Sequence, residues 1–310
     1  MSSGVSVCFA TRAPELKYCR YDDNRLGVVE GDIIHDVTTL LEGIPRSGYP
    51  FPPGDQLIAH LERLRPRMQF LVGKVATRPV AEVRLLSPVA NPGKIIGVPV
   101  NYQDHADEGL RDEELRARRE IRPVYVDGLF LKATSSLIGP SQGVAIRFPE
   151  LRTDHEAELA YVIGKGGSDI PEAEALDHIA GYAIGLDMVV RGTQDRSLRK
   201  SIDSYSVLGP WLVTADEITD PQDLELSFQV NGQTRQQTNT GRMISGIAEQ
   251  IAWVSRWYTL HPGDIVMSGT PAGVSRVYPG DVMTASIAGI GSMTVKVRPH
   301  EIVRHIGAGS

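Results

Sequence analysis

The sequence predicts an α+β protein in which β-strands predominate. Short apolar runs bounded by turn residues outnumber the segments with helical periodicity, and glycine and proline occupy 31 and 20 of the 310 positions. Strands do not alternate regularly with helices, which argues against a doubly wound parallel sheet. A hydrophobic content of 41% is sufficient for a substantial core in a chain of this length. We therefore expect mixed sheets with a few helices.

Residues 1–90 are predicted to form a small N-terminal domain, and residues 91–310 a larger second domain. In the first, "LGVVEGDIIHDV" predicts two short strands around Gly31, and "DQLIAHLERL" has the periodicity of a helix that we expect to end at Pro66. The proline-rich stretch "LLSPVANPGK" is the predicted boundary between the domains.

The second domain begins with an apolar, strand-like run, "KIIGVPVNY", which leads into the polar segment "QDHADEGL". The charged segment "RDEELRARREI" follows and predicts a solvated helix or a mobile loop. "AELAYVIG" and "IAGYAIGLDMVV" predict buried strands, and Asn231-Gly232 predicts a hairpin turn. A late helix is predicted from one apolar stripe formed by Ile244, Ile247, Ile251, Val254 and Tyr258.

Charge and cysteine content narrow the possible partners. A net charge of -6 and a pI near 5.8 argue against nucleic acid or an anionic membrane as partner, because both require clustered Lys and Arg. No run has the roughly 18 apolar residues of a membrane span. Cys8 and Cys19 are too few for a disulfide framework, and the N-terminus lacks a signal-peptide pattern. We expect a cytoplasmic protein with reduced thiols and a small neutral or acidic ligand.

Two carboxylates stand out in "TDHEAELAYVIG". Glu156 and Glu158 alternate along a predicted strand, so their side chains share one face. Two buried anions this close require a cation between them, and Asp187 is the single acidic residue in the apolar run "AIGLDMVV". Three carboxylates favour a hard cation, Mg²⁺ first, with Mn²⁺ or Ca²⁺ as competitors. The alternative is a half-exposed edge strand with solvated glutamates.

The segment "YQDHADEG" offers a general base. His105 and Glu108 are three residues apart, so on one helical turn the carboxylate can orient the imidazole for water activation. Asp104 and Asp107 flank this pair and could replace Glu108 as the orienting group. The alternative is a polar loop in which the pair is incidental.

Further polar groups follow Asp187. Arg191, Gln194 and Lys200 could line the same pocket and stabilise negative charge, or could belong to an exposed basic loop. The turn "SGTPAG" contains Thr270, whose hydroxyl could bind a carboxylate, although most Gly-Pro turns bind no ligand.

The order of these motifs resembles that of the fumarylacetoacetate hydrolase family. The resemblance covers residues from about 90 to 300 and rests on seven segments: "IIGVPVNYQDHADE", "DHEAELAYVIGK", "GLDMVVRGTQ", "LRKSIDSYSVLGPWLVT", "VNGQTRQ", "SGTPAGV" and "PGDVMTASIAGIGSM". It implies a mixed β-sheet roll for the second domain, and it identifies the first domain with the small N-terminal domain that many members have.

The resemblance also implies roles for individual residues. It implies a Mg²⁺ or Mn²⁺ site at the three carboxylates and a catalytic pair formed by His105 and Glu108, with Lys200 near the metal. Tyr102, Arg191, Gln194 and Thr270 are assigned to substrate binding. Segment 109–128, which follows the base directly, is expected to close over the substrate as a lid.

The implied reaction is hydrolysis of a C-C bond in an acylpyruvate or a similar diketo acid, in a homodimeric enzyme. Isomerisation or tautomerisation, decarboxylation or lyase chemistry on a 2-oxo acid is the alternative on the same scaffold, and a non-catalytic metal-binding homologue is the third hypothesis. Two departures from the family pattern bear on the substrate and the metal. The stretch Leu186–Gly192 keeps the aspartate and arginine but has apolar neighbours, and Val98 stands where the name-giving enzyme has a fourth carboxylate.

Overall fold

The computed structural model describes residues 16–111 and 128–301. Its strands are β1 Lys17–Tyr21, β2 Arg25–Glu30, β3 Ile33–Asp36, β4 Thr77–Pro79, β5 Leu85–Leu86, β6 Ile95–Gly97, β7 Phe130–Lys132, β8 Leu137–Ile138, β9 Val144–Ile146, β10 Thr153–Asp154, β11 Ala157–Ile163, β12 Ile179–Asp187, β13 Val189–Val190, β14 Ser206–Thr214, β15 Glu225–Val230, β16 Gln233–Asn239, β17 Ile265–Met267, β18 Val282–Ile287 and β19 Gly291–Pro299.

The described α-helices are α1 Gln56–Ala59, α2 Leu61–Leu71, α3 Gln103–Arg111, α4 Arg196–Lys200 and α5 Ile247–Val254. Short 3-10 helices connect several strands, and they span Thr38–Gly43, Val80–Glu82, Thr134–Ser136, Pro140–Gln142, Glu172–His178, Ala215–Glu217 and Thr240–Arg242.

The strands form three sheets. The largest has twelve strands and runs β4-β3-β2-β1-β14-β12-β11-β17-β6-β7, with β5 paired to β1 and β8 paired to β14. A five-stranded sheet runs β16-β15-β18-β19-β9, and β10 pairs with β13. Most pairs are antiparallel, whereas β17 with β6, β14 with β8 and β19 with β9 are parallel. The mixed, mostly β fold class predicted from the sequence is confirmed.

The large sheet buries both of its faces. On β11, Leu159 and Tyr161 pack in a core shared with the five-stranded sheet, while Ala160 and Val162 pack in a second core shared with α1 and α2. This alternation follows from the two-residue period of a strand, and it explains why β11 is apolar on both sides. The strand that carries Glu158 is therefore packed from both faces.

The N-terminal strands join the large sheet through the pairing of β1 with β14, in which Lys17 lies opposite Val213. The division of the chain at residue 90 remains a prediction. Cys19 is a buried free thiol whose pKa is raised to about 12 by burial. Across the two described ranges, no helix is long and apolar enough to cross a membrane.

Two helix predictions need correction. The first helical segment does not end at Pro66, because α2 begins at Leu61 and continues through the proline to Leu71. A proline inside a helix removes one backbone hydrogen bond, but α2 still buries Leu64 and Met68 against the core on either side of it. The late helix α5 starts at Ile247, so Ile244 lies outside it and is 47% exposed.

The hairpin around Asn231-Gly232 is confirmed, with both residues at positive φ (52° and 77°) between β15 and β16. Apart from Arg111, which ends α3, the segment "RDEELRARREI" lies outside the described residues, as do residues 112–127 of the predicted lid 109–128 and Cys8.

Candidate active site

Three buried carboxylates converge where β11 and β12 lie side by side. Ligand atoms of Glu156, Glu158 and Asp187 all lie within 4.8 Å of one another. The pairing of Glu158 with Gly185 and of Ala157 with Leu186 brings the end of β12, and so Asp187, next to the start of β11. The structure thus brings the three predicted residues together.

The prediction that Glu156 and Glu158 lie on one strand needs correction. Glu156 is not part of a strand, because β10 ends at Asp154 and β11 begins at Ala157. The chain bends between the two strands, where the His155 amide donates to the Ser275 carbonyl. The Glu156 carbonyl nevertheless accepts from the Asp187 amide at 2.9 Å, so the two acidic residues stay adjacent.

Cationic side chains surround the carboxylates. Lys200 Nζ donates to Glu156 Oε2 at 2.5 Å and to Asp187 Oδ2 at 2.6 Å. Lys132 Nζ donates to Asp187 Oδ1 and, at 2.7 Å, to the Tyr205 carbonyl. Buried like charges are tolerated only when such partners neutralise them.

Arg191 links the cluster to a further buried acid. Its Nε donates to Asp154 Oδ2 at 2.8 Å, and its terminal nitrogen donates to Glu156 Oε1 at 3.0 Å. Arg152 donates to the other oxygen of Asp154 at 2.8 Å. Asp154 therefore fixes the guanidinium that contacts a candidate metal ligand.

The carboxylates differ in their electrostatic environment. Burial by itself raises the pKa of Glu156, but the charges of Lys200 and Arg191 outweigh burial and lower the pKa below the usual range. Burial and the negative charge of Asp187 raise the pKa of Glu158 well above its usual value. For Lys200, burial lowers the pKa, and the charges of Asp187 and Glu156 reverse this and raise it.

The predicted base pair lies beside this cluster. On α3, His105 Nδ1 is 3.2 Å from Glu108 Oε2, and the two side chains are 13% and 26% exposed. A carboxylate at Nδ1 favours the tautomer with its proton there, which leaves Nε2 as the nitrogen that can accept a proton. Glu108 of this pair and Glu158 of the cluster both accept hydrogen bonds from the turn Ser268–Gly273, which places the pair next to the carboxylates.

The turn Ser268–Gly273 connects the base to the carboxylates. The Gly269 amide donates to Glu158 Oε2 at 2.7 Å, and the Gly273 amide donates to Glu108 Oε1 at 3.0 Å. Thr270 is 3% exposed, and its hydroxyl donates to the Ala157 carbonyl at 2.8 Å. In the described structure the Thr270 hydroxyl therefore makes internal hydrogen bonds, and the turn acts on the site through backbone amides.

The two remaining predicted residues differ in burial: Tyr102 is buried and Gln194 is exposed. Tyr102 immediately precedes α3, and its buried hydroxyl has no hydrogen-bond partner among the described residues. Burial, and then the negative charge of Glu158, raise the pKa of Tyr102. Gln194 is exposed and lines a groove of about 470 Å³ with Phe148, Leu198 and other residues; the structure does not bring its side chain to the carboxylates.

Sequence reasoning missed Lys132 and Asp154. Lys132 lies at the end of the apolar run "LFLK" as a single charge, which is the same signal that singled out Asp187. Asp154 begins "DHEAEL", where the pattern of the sequence does not distinguish it from a solvated aspartate next to the two glutamates. Both are fully or almost fully buried, and their ion pairs could not be predicted from separations of 55 and 37 residues along the chain.

Gly273 provides a stability test of the turn. It has φ of +100°, and a Cβ atom there would lie 1.9 Å from the Arg235 carbonyl oxygen. We expect Gly273→Ala to lower the free energy of unfolding by about 3 kcal/mol, since backbone strain and a clash add. Gly280 has φ of +102° with open space around it, so Gly280→Ala should show strain alone, about 1 kcal/mol. Urea denaturation measures both; equal losses would contradict the proposed clash.

The donor set fits a divalent cation. Carboxylate oxygens are the ligands that Mg²⁺ and Mn²⁺ prefer, and three of them converge here in a buried position. Glu158 is buried and accepts from the Gly269 amide, and among the described residues it forms no ion pair, so a bound cation would provide the positive charge that this carboxylate lacks.

Comparison with known proteins shows that the chain is similar in sequence to characterised enzymes. The chain is 50% identical over 285 residues to a maleylpyruvate hydrolase of Aquipseudomonas alcaligenes, which covers 91% of this chain and 99% of the relative. It is 37% identical over 210 residues to a mitochondrial oxaloacetate tautomerase of Homo sapiens, covering 66% of this chain and 64% of the relative.

The fold of the chain is also similar to that of a solved structure. The crystal structure of maleylpyruvate hydrolase from Sphingobium sp. SYK-6, in complex with manganese(II) and pyruvate, matches with a TM-score of 0.78 and 38% identity, covering 92% of this chain and 100% of that one. The family model for the fumarylacetoacetate (FAA) hydrolase C-terminal domain matches residues 94–298, which include the carboxylates, the base pair and the turn. The chain belongs to the fumarylacetoacetate hydrolase family.

Proposed function

We propose that this enzyme hydrolyses maleylpyruvate, or an acylpyruvate of similar shape and charge, to pyruvate and a second carboxylic acid. It is a metal-dependent hydrolase that acts on C-C bonds of ketonic compounds. The observation that carries the proposed substrate and mechanism is the placement of an oriented His-Glu pair beside three buried carboxylates, in a chain half identical to a maleylpyruvate hydrolase.

In the proposed mechanism, Glu156, Glu158 and Asp187 hold a divalent cation, which supplies Lewis-acid polarisation of the 2-oxo acid group of the substrate. His105 Nε2 removes a proton from water, and Glu108 stabilises the imidazolium that results. The hydroxide attacks the distal carbonyl carbon, and the bond from that carbon to the methylene breaks. The proton then passes from His105 to the methylene carbon, which becomes the methyl group of pyruvate.

Negative charge on the reacting oxygens needs compensation during these steps. Lys200 and Arg191 are fixed cations at the edge of the carboxylate cluster and are proposed to offset that charge. Tyr102 is proposed to donate its unpartnered hydroxyl to a substrate oxygen. Gln194 and Thr270 are proposed as substrate contacts on the family resemblance alone: the Gln194 side chain is exposed, and the Thr270 hydroxyl donates to the Ala157 carbonyl.

The test is a substrate panel. Maleylpyruvate, fumarylpyruvate, a short acylpyruvate and oxaloacetate are each assayed with the metal-free protein, and again after addition of Mn²⁺ or Mg²⁺. We expect metal-dependent turnover of the acylpyruvates, with kcat/KM highest for maleylpyruvate. Equal turnover with and without a chelator would contradict the proposal.

Tautomerisation of a 2-oxo acid is the second candidate function. It is favoured by the similarity to the oxaloacetate tautomerase, and the same base could move a proton between carbon and oxygen without cleavage. In the panel it would appear as interconversion of keto and enol oxaloacetate with no new acid formed.

We further propose that Mg²⁺ or Mn²⁺ is the metal used in the cell, and that the enzyme is a cytoplasmic homodimer that binds no nucleic acid or membrane. The oxygen-only donor set and the manganese in the related structure support the choice of metal. The net charge of -6 supports the proposal that neither nucleic acid nor an anionic membrane is a partner. Light scattering coupled to size-exclusion chromatography should give a mass of twice 33.8 kDa; a monomer mass would contradict the dimer.

A further inference from the structure

The segment "VNGQTRQ" belongs to the family pattern, yet none of its residues has a role in the proposed mechanism. Its last residue, Gln236, lies on β16 in the five-stranded sheet, is 1% exposed, and reaches across to the large sheet. A fully buried amide on a strand that carries no catalytic group calls for an explanation, because buried polar groups are costly unless all their hydrogen bonds are made.

The Gln236 amide makes four hydrogen bonds. Its Oε1 accepts from the Ala157 amide and from His155 Nδ1, both at 3.1 Å. Its Nε2 donates to Thr270 Oγ1 at 2.7 Å and to the Pro271 carbonyl at 2.8 Å. Two acceptor positions and two donor hydrogens are the full capacity of a glutamine side chain.

Gln236, Thr270 and Ala157 form a closed ring of hydrogen bonds that links the start of β11 to the turn Ser268–Gly273. The Thr270 hydroxyl, which receives one Gln236 hydrogen, donates its own to the Ala157 carbonyl at 2.8 Å. Both backbone polar groups of Ala157 are therefore tied to the same pair of side chains. Ala157 lies between Glu156 and Glu158, so the ring holds the backbone that carries two candidate metal ligands.

The other side of the ring is the turn Ser268–Gly273. Thr270 and Pro271 lie between Gly269, whose amide holds Glu158, and Gly273, whose amide holds Glu108. A shift of this turn relative to β11 would move both amides, and with them one metal ligand and the carboxylate that orients His105.

His155 supports the ring from a third direction. Because Gln236 Oε1 can only accept, His155 Nδ1 carries the proton, and its Nε2 accepts from Ser275 Oγ at 2.9 Å. The imidazole also stacks on Phe228, with ring centroids 4.2 Å apart. The ring thus connects β16, the start of β11 and the chain on both sides of Gly273.

We propose that Gln236 is a positioning residue: it sets the distance between β11 and the turn Ser268–Gly273, and thereby places Glu158 for metal binding and Glu108 for orienting His105. The inference deepens the proposed function and rests on it for the role of His105. The effect on the metal site can be measured without any substrate, so the two proposals can fail separately.

The test uses Gln236→Met, which keeps the length of the side chain and removes all four hydrogen bonds, and Thr270→Val, which opens the ring with an isosteric side chain. Gln237→Met is the matched control, because Gln237 is the next residue of the same strand and is exposed. Mn²⁺ alone is titrated into each metal-free protein by calorimetry, at a temperature where circular dichroism shows the protein to be folded.

We expect the Kd for Mn²⁺ to rise about 10- to 100-fold in Gln236→Met and by a smaller factor in Thr270→Val, with no change in Gln237→Met. In acylpyruvate turnover by Gln236→Met, kcat should fall more than KM rises, since this substitution misplaces the base and removes no proposed substrate contact. If Gln236→Met does not fold, Thr270→Val decides by the same criterion. A folded Gln236→Met with the wild-type Kd for Mn²⁺, or a control that loses affinity equally, would overturn the inference.

Discussion

Asp187→Asn is expected to abolish Mn²⁺ binding and turnover, and to lower the free energy of unfolding by about 3 to 5 kcal/mol. The Asp187 side chain is 1% exposed and accepts hydrogen bonds from both Lys132 and Lys200. An amide at this position supplies a poor metal ligand and leaves two buried ammonium groups without their shared anion. Calorimetric titration and urea denaturation measure the two effects separately.

The stability loss has a specific cause that can be reversed. Adding Lys132→Met to the Asp187→Asn variant removes one uncompensated ammonium group, so part of the unfolding free energy should return while Mn²⁺ binding stays lost. Asp223→Asn is the control, since Asp223 is exposed and accepts only from Asn239 among its described partners. A double variant that is less stable than Asp187→Asn would contradict the account of the buried charges.

His105→Gln is expected to lower kcat by about 10² to 10⁴ while leaving the Kd for Mn²⁺ close to that of the wild type. His105 acts as the base and is not among the three converging metal ligands, so chemistry and metal binding should separate. Steady-state kinetics under saturating metal, together with the metal titration, test this directly.

Glu108→Gln should give a smaller loss of kcat, because the amide still contacts the imidazole but does not stabilise its positive charge. His60→Gln, in a partly exposed histidine between α1 and α2, serves as the control and should leave kcat unchanged. A His105→Gln enzyme with wild-type kcat would exclude this residue as the base.

Local sequence signals predicted much of this site. His105 and Glu108 could be paired because three residues make nearly one helical turn, and α3 provides that turn. Glu156, Glu158 and Asp187 stood out as charges in apolar runs, and the antiparallel pairing of β11 with β12 brings them together. The positive-φ hairpin at Asn231-Gly232 was likewise a local signal.

What could not be predicted depends on contacts between distant segments. The Gln236 amide meets the start of β11 across 79 residues and the turn across 34, and the sequence does not reveal the packing of one sheet against the other. Thr270 resembled a ligand contact because a hydroxyl in a Gly-Pro turn looks the same whether it faces a substrate or the Ala157 carbonyl. The continuation of α2 past Pro66 also depends on tertiary packing, which outweighed a local rule.

Metal-dependent cleavage of a C-C bond is tested most directly by following the reaction products by proton NMR. Maleylpyruvate is incubated with the metal-free protein, with the protein and Mn²⁺, and with the protein, Mn²⁺ and excess chelator. We expect pyruvate and maleate in equal amounts, formed only in the sample with available Mn²⁺. Consumption of maleylpyruvate without release of pyruvate, or pyruvate formed equally with the chelator present, would contradict it.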